Sequence, residues 1–167
     1  MDGVPCCHVG DEWRSCLSGC CGMSLKNKPR KTAKKKQASL SSLIRKADTV
    51  TSQYIRQKYA DTQGIVKCVT CDTKLHWSQS HCAHFMERAN KSTRWLEENL
   101  HPACPSCNVF RKEYHKREYT LYIIDMYGRE KIDEFKSLIS HVLSASQVRC
   151  LAEEAIIYYS AQLKEIE

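Results

Sequence analysis

Cys68-x-x-Cys71 and Cys104-x-x-Cys107 are two knuckles, each presenting two thiols from one tight turn. Together they supply the four sulfur ligands that a tetrahedral Zn²⁺ takes. Four thiolates leave no open position for water, so this site is expected to be structural. The knuckles are separated by 32 residues, more than a minimal ribbon needs, which leaves room for a functional insertion. Between them lies His81-Cys82-Ala83-His84-Phe85, and Glu98-Asn99-Leu100-His101 leads through the second knuckle to Asn108. Imidazoles change charge near neutral pH and ligate metals, so chemistry is expected here rather than in the knuckles.

Composition narrows the setting. The chain has 167 residues, 42% hydrophobic and 27% charged, enough for one folded core plus a small appendage. No apolar run approaches the roughly 18 residues of a membrane span. No basic segment leads into an apolar stretch at the start, so no secretory leader is expected. The eleven cysteines are an odd number and are read as reduced and mostly metal-bound. The expected location is the cytoplasm, without a membrane partner. Residues 1–47 carry ten Lys/Arg and three acids, whereas residues 48–167 carry sixteen of each. The excess is concentrated in Lys26, Lys28, Arg30, Lys31, Lys34, Lys35 and Lys36, a run without an acid. Such a run is either a solvated linker or a DNA-contacting arm.

Three regions follow: a cysteine-rich segment at 1–25, a basic linker at 26–38, and a domain from 39 to 167. In the last, apolar residues at three- and four-residue steps predict a helix over 40–59, capped by Ser39 or Ser41. The period then shortens. Ile65–Lys67 enters the first knuckle, and Lys74–Trp77 and His81–Phe85 read as short strands. After Cys107 helices return, one ending at Gly128, one around Ile132–Val142 and one over Val148–Leu163. The class is α+β: a small strand-rich metal unit flanked by an N-terminal helix and C-terminal helices. The C-terminal apolar stripes serve as core or as the surface of a homodimer.

His, then Asn, then a polar residue directly after Cys-x-x-Cys resembles the HNH nuclease motif. That motif belongs to a ββα-metal fold in which a hairpin and a helix hold one catalytic divalent ion. The stretch from about Asp48 to Leu138 is similar, more closely, to the phage recombination proteins of the NinG (Rap) family, which include a DNA-branch-directed nuclease. The matching residues are Asp48-Thr49-Val50, Tyr54-Ile55-Arg56, Cys68-Val69-Thr70-Cys71, Trp77, Ala83-His84-Phe85 and Arg94 to His101. They continue through Cys104 to Asn108, Phe110-Arg111, Glu118-Tyr119 and Ile124 to Gly128. The resemblance implies His84 as general base, Asn99 as the motif's Asn, and Asn108 as a polar residue near the metal. In that role a neutral imidazole takes a proton from water, and a divalent cation neutralises charge on the phosphate and leaving oxygen.

Two departures stand out against the family pattern. His81 replaces the usual acidic residue, which shifts metal preference from Mg²⁺ toward Mn²⁺, Ni²⁺ or Zn²⁺. Lys112-Glu113-Tyr114-His115 replaces the usual Ser-Gly-Asn turn, where His115 either restores a ligand or faces solvent. The expectation is a metal-dependent DNA endonuclease with structural Zn²⁺ and catalytic Mg²⁺ or Mn²⁺. Its partners would be branched DNA (Holliday junctions, D-loops or flaps) and phage or host recombination proteins. The alternative is a zinc-dependent DNA-binding accessory protein without nuclease activity. Near the start, Cys6, His8, Cys16 and Cys20 offer a second zinc set, with a redox-sensitive tail as the other reading.

Overall fold

The structure, a computed structural model, describes residues 38–166. The Cys6/His8/Cys16/Cys20 cluster and the basic run Lys26–Lys36 lie outside those residues. α1 spans Leu40–Lys58, and Ser39 caps it by accepting the Ser42 backbone N–H on its hydroxyl. One face of α1 buries Ala47, Thr51, Tyr54 and Ile55. The final helix, α4 (Ala145–Ile166), buries Val148, Ala152, Ala155 and Tyr159 at helical spacing and packs along α1. These α4 residues are core, whereas Ile157 and Tyr158 on the same helix remain exposed.

Four short strands form two antiparallel pairs. β1 (Ile65–Lys67) pairs with β2 (Lys74–His76), and the first knuckle is the loop between them. Asp72, just after Cys71, takes a left-handed φ of 58°, closing the turn tightly enough for its N–H to reach Cys68 O. β3 (His81–His84) pairs with β4 (Leu100–Ala103), in register His81 to Ala103 and His84 to Leu100. Each strand predicted at 74–77 and 81–85 therefore exists, shortened, but the two do not pair with each other. Trp77 belongs instead to a 3-10 turn, Trp77–Gln79. Sequence gives little sign of β4, because Pro102 lacks an N–H and marks a run as a poor strand. Here Pro102 pairs with Cys82, and its carbonyl accepts the Val69 N–H, tying the first knuckle to β4.

The β3–β4 hairpin divides the core. Cys82 and Leu100 face α1 and α4, with Trp95. Ala83 and Ala103 face the knuckles, α2 (Lys112–Tyr127) and α3 (Glu130–Ile139), where Tyr119, Ile123 and Phe135 are buried. Alternation along a strand is what sends neighbours into different cores. Gly128 ends α2 at φ 82°, with its N–H on Ile124 O; the residue C-terminal to a helix favours glycine for this reason.

Candidate functional site

The knuckles meet. The Sγ atoms of Cys68, Cys71, Cys104 and Cys107 all lie within 4.8 Å of one another, and Cys71 and Cys104 sulfurs are 3.7 Å apart. Four sulfurs around Zn²⁺ at about 2.3 Å stand roughly 3.8 Å apart, so the spacing and the donor chemistry fit that ion. The sulfurs are also supported from outside. The Cys107 N–H donates to Cys104 Sγ, and the Thr70 and Thr73 hydroxyls contact Cys68 and Cys71 Sγ at 3.4 and 3.1 Å. Burial, and then the neighbouring thiols, push the Cys107 thiol up to about 12. Against its burial, bonds from Thr73 bring Cys71 down to about 6. Crowded thiols of this kind ionise together once a dication is present. Among the described residues, no other group of three His, Cys, Asp or Glu side chains comes to ligand distance.

A second site runs beside β3. A cleft of about 560 Å³ is bordered by His81, Cys82, His84, Asn108, Arg56 and Arg88, with Ser52, Ser80 and Glu87. His81 and His84 lie three apart, which places them on opposite strand faces, yet both border this cleft. β3 has a partner on only one side, and the cleft follows its open edge, where residues from either face are reachable. The Asn108 amide nitrogen is 3.2 Å from His81 Nδ1.

Asn99 does not enter the cleft; it is fully buried and ties down the 85–96 loop. Its Oδ1 accepts the Met86 N–H at 2.6 Å, and its Nδ2 donates to Met86 O and Thr93 O at 3.2 and 2.9 Å. The same loop is held from α1 by Asp48, whose carboxylate receives Arg94 and the Trp95 indole N–H. Burial works against ionised Asp48, but the Arg94 bonds outweigh it and hold the carboxyl below its usual range. Burial, and then the Arg88 and Arg94 guanidiniums, lower His84 to about 4 against the opposing pull of Asp48. Its imidazole is therefore neutral at pH 7.

His115 is not brought to this cleft. Its Nδ1 meets the Thr70 hydroxyl at 3.3 Å, which in turn contacts Cys68 Sγ, so it packs behind the four-sulfur group. The altered turn after Arg111 is wound into the first turn of α2, which points this side chain toward the first knuckle. His101 is fully buried against Tyr119 and Tyr127 hydroxyls, at 2.9 and 3.2 Å. Asp48, Arg56 and Arg94 stand among the residues that match the family pattern, but nothing in the sequence gives them a role, and Arg88 carries no sequence signal; Asp48 and Arg94 are 46 residues apart.

The fold and the sites define a class: an α+β domain stapled by a four-cysteine group, with a histidine-bearing cleft along an open strand edge. The family model described as Bacteriophage Lambda NinG protein matches residues 23–167, and the chain belongs to that family. No curated protein and no solved structure matches it. No helix among the described residues is long and apolar enough to cross a membrane.

Proposed function

We propose that the chain is a metal-dependent DNA endonuclease of the HNH type, acting in phage recombination on branched DNA. The observation that carries this reading is the convergence of His84, His81 and Asn108 on one cleft that also holds Arg56 and Arg88. The succession of the β3–β4 hairpin, knuckle and α2 supports it, being the order of a ββα unit. Cationic side chains and the neutral His84 imidazole around one concavity suit a phosphodiester.

In the proposed reaction His84 takes a proton from water. The water oxygen bonds to phosphorus, and the bond from phosphorus to the 3′ oxygen breaks. A phosphate entering the cleft adds negative charge beside His84, raising its low basicity when substrate is bound. Asn99 and Asp48 keep the adjoining loop in place. His81 and, with its amide turned over, Asn108 would hold a divalent ion, the remaining positions being left to water and phosphate oxygens. Such an ion, when bound, supplies charge neutralisation at the phosphate and leaving oxygen.

A second reading is the zinc-dependent DNA-binding accessory protein. It is favoured by the cysteines being the single described group at metal-ligand distance and by His115 lying away from the cleft. Incubating four-way junctions and flaps with Mg²⁺, Mn²⁺ and Ni²⁺ in turn separates the two. Metal-dependent nicking, lost in His84→Ala with zinc content and DNA binding near native, is the expected result. Binding without cleavage in every metal leaves the accessory role, and undiminished cleavage by His84→Ala removes His84 as the base.

A further inference from the structure

The turn Ser106–Phe110 joins the second knuckle to α2 and is braced along its length. Cys107 is buried within the four-sulfur group. The Asn108 N–H donates to Cys104 O, and its side chain meets His81. The Arg111 N–H closes on Ser106 O at 3.1 Å, an i to i+5 bond of the π type that recurs at functional sites. This braced turn nevertheless holds Phe110 with 80% of its surface in water, and Val109 with 44%. Water around a phenyl ring is costly, and nothing in the turn prevents other residue types from standing there.

The surroundings indicate what the ring meets. Arg111 and Lys112 follow it directly and are exposed, and Asn108, two residues before it, borders the cleft with Arg56 and Arg88. The local apolar group is small: Val109, Phe110 and part of Tyr114. The other large exposed apolar residues belong to later turns of α2, to α4 and to Val142. A protein partner is met by a broad apolar centre depleted of charge. A single ring among cations instead suits a nucleobase, whose flat face stacks on the ring while its phosphates meet the cations.

We propose that Phe110 is a stacking wedge that receives an unpaired or extruded base of branched DNA beside the cleft. The inference rests on the nucleic-acid reading of that cleft, and it is independent of His84 acting as base. The test uses the full chain with its bound zinc, no added divalent metal, and a four-way junction carrying 2-aminopurine at the branch point. Saturating protein should raise the 2-aminopurine fluorescence as the base leaves its stack. Phe110→Ala and Phe110→Leu should cut that rise at least about threefold and weaken junction binding about tenfold, while Phe110→Tyr retains both. Zinc content and circular dichroism should be native in all three. An unchanged rise and affinity in Phe110→Ala overturns the wedge, and the ring would then face a protein. A normal 2-aminopurine response in a cleavage-dead or cleavage-competent His84→Ala protein supports the wedge whatever becomes of the base assignment. Failure of the native chain to bind the junction overturns both the wedge and the cleft reading.

Discussion

Asp48 on α1 accepts both Nε and Nη2 of Arg94, at 2.8 and 2.6 Å, and so fastens the cleft-bordering loop to the helix that forms the cleft's other side. The pair is largely removed from water, with Arg94 and Asp48 side chains 11% and 23% exposed. Paired forks of this geometry are strong, and removing one partner strands the other. Asp48→Ala should lower stability by about 2–3 kcal/mol in urea unfolding, less than for a fully buried pair because some water reaches it. On the proposed nuclease function, cleavage should fall further than DNA affinity, since the loop carrying Arg88 loses its anchor. The Asp48 pKa is lowered on folding, so its stabilisation is full above the unfolded carboxyl value near 4 and disappears as pH falls through the lower folded one.

Asn99 makes three bonds to the loop it closes and has no exposed surface. Asn99→Ala leaves the Met86 N–H and carbonyl without partners, each costing about 1–3 kcal/mol where water cannot enter, while Thr93 O keeps the Leu96 N–H. A loss of about 3 kcal/mol in total is expected, with raised amide exchange at Met86. Asn99→Asp keeps one acceptor but no donor, so it should restore little. Native exchange at Met86 in the alanine variant would show that the loop is held by other means.

Acid should act in part through His101, alongside His84, whose pKa is lowered to the same value of about 4. Burial, and then Lys58, lower the His101 pKa. Both ring nitrogens of the neutral imidazole are paired, with the Tyr119 hydroxyl at 2.9 Å from Nδ1 and the Tyr127 hydroxyl at 3.2 Å from Nε2, so a second ring proton has no acceptor there without turning a hydroxyl over. The unfolded state binds a proton near pH 6.5, before the folded state does. The His101 contribution to stability is therefore full above about 6.5 and falls as pH drops toward 4, by about 3 kcal/mol at most. Comparing urea unfolding of native protein and His101→Gln from pH 7 to 4.5 isolates the effect, because the variant lacks this part of the slope. Parallel pH profiles would remove His101 as its source.

Zinc removal should unfold the centre of the domain. Cys68, Cys104 and Cys107 are packed among Ala83, Tyr119 and Phe135, so loss of the ion leaves crowded thiols inside a core. Ion binding in such sites is folding free energy. Chelator at elevated temperature, or Cys107→Ser, should yield partly unfolded protein with less than one bound zinc. A stable, zinc-free Cys107→Ser protein with native circular dichroism would contradict the assignment.

The arm Lys26–Lys36 has seven positive charges and no negative one, whereas residues 48–167 are neutral. If about four of the seven meet phosphates, a chain starting at Ser39 should show a salt dependence of log affinity shallower by about 3 to 4 on a four-way junction. Without aromatic residues the arm would add affinity but no base readout. Equal slopes for the two chains would make it a solubilising linker.

Local chemistry was enough for the parts that depend on neighbours in sequence. Knuckle spacing fixes which sulfurs share a turn, and apolar periodicity places α1 and α4 because a helix face repeats regardless of what covers it. The serine cap and the glycine stop are likewise local. The sequence also brought His84, Asn99 and Asn108 to notice through their order along the chain. Tertiary structure decided the rest. β4 exists because β3 and the Val69 N–H give Pro102 partners that a proline-bearing run does not advertise. His81 joins His84 because β3 has an open edge, a property of sheet topology. His115 turns to Thr70 because α2 begins at Lys112, and Asp48 finds Arg94 because α1 lies across the 85–96 loop. Such contacts join residues tens of positions apart, and no periodicity encodes them; only the packing of helix against hairpin brings them together.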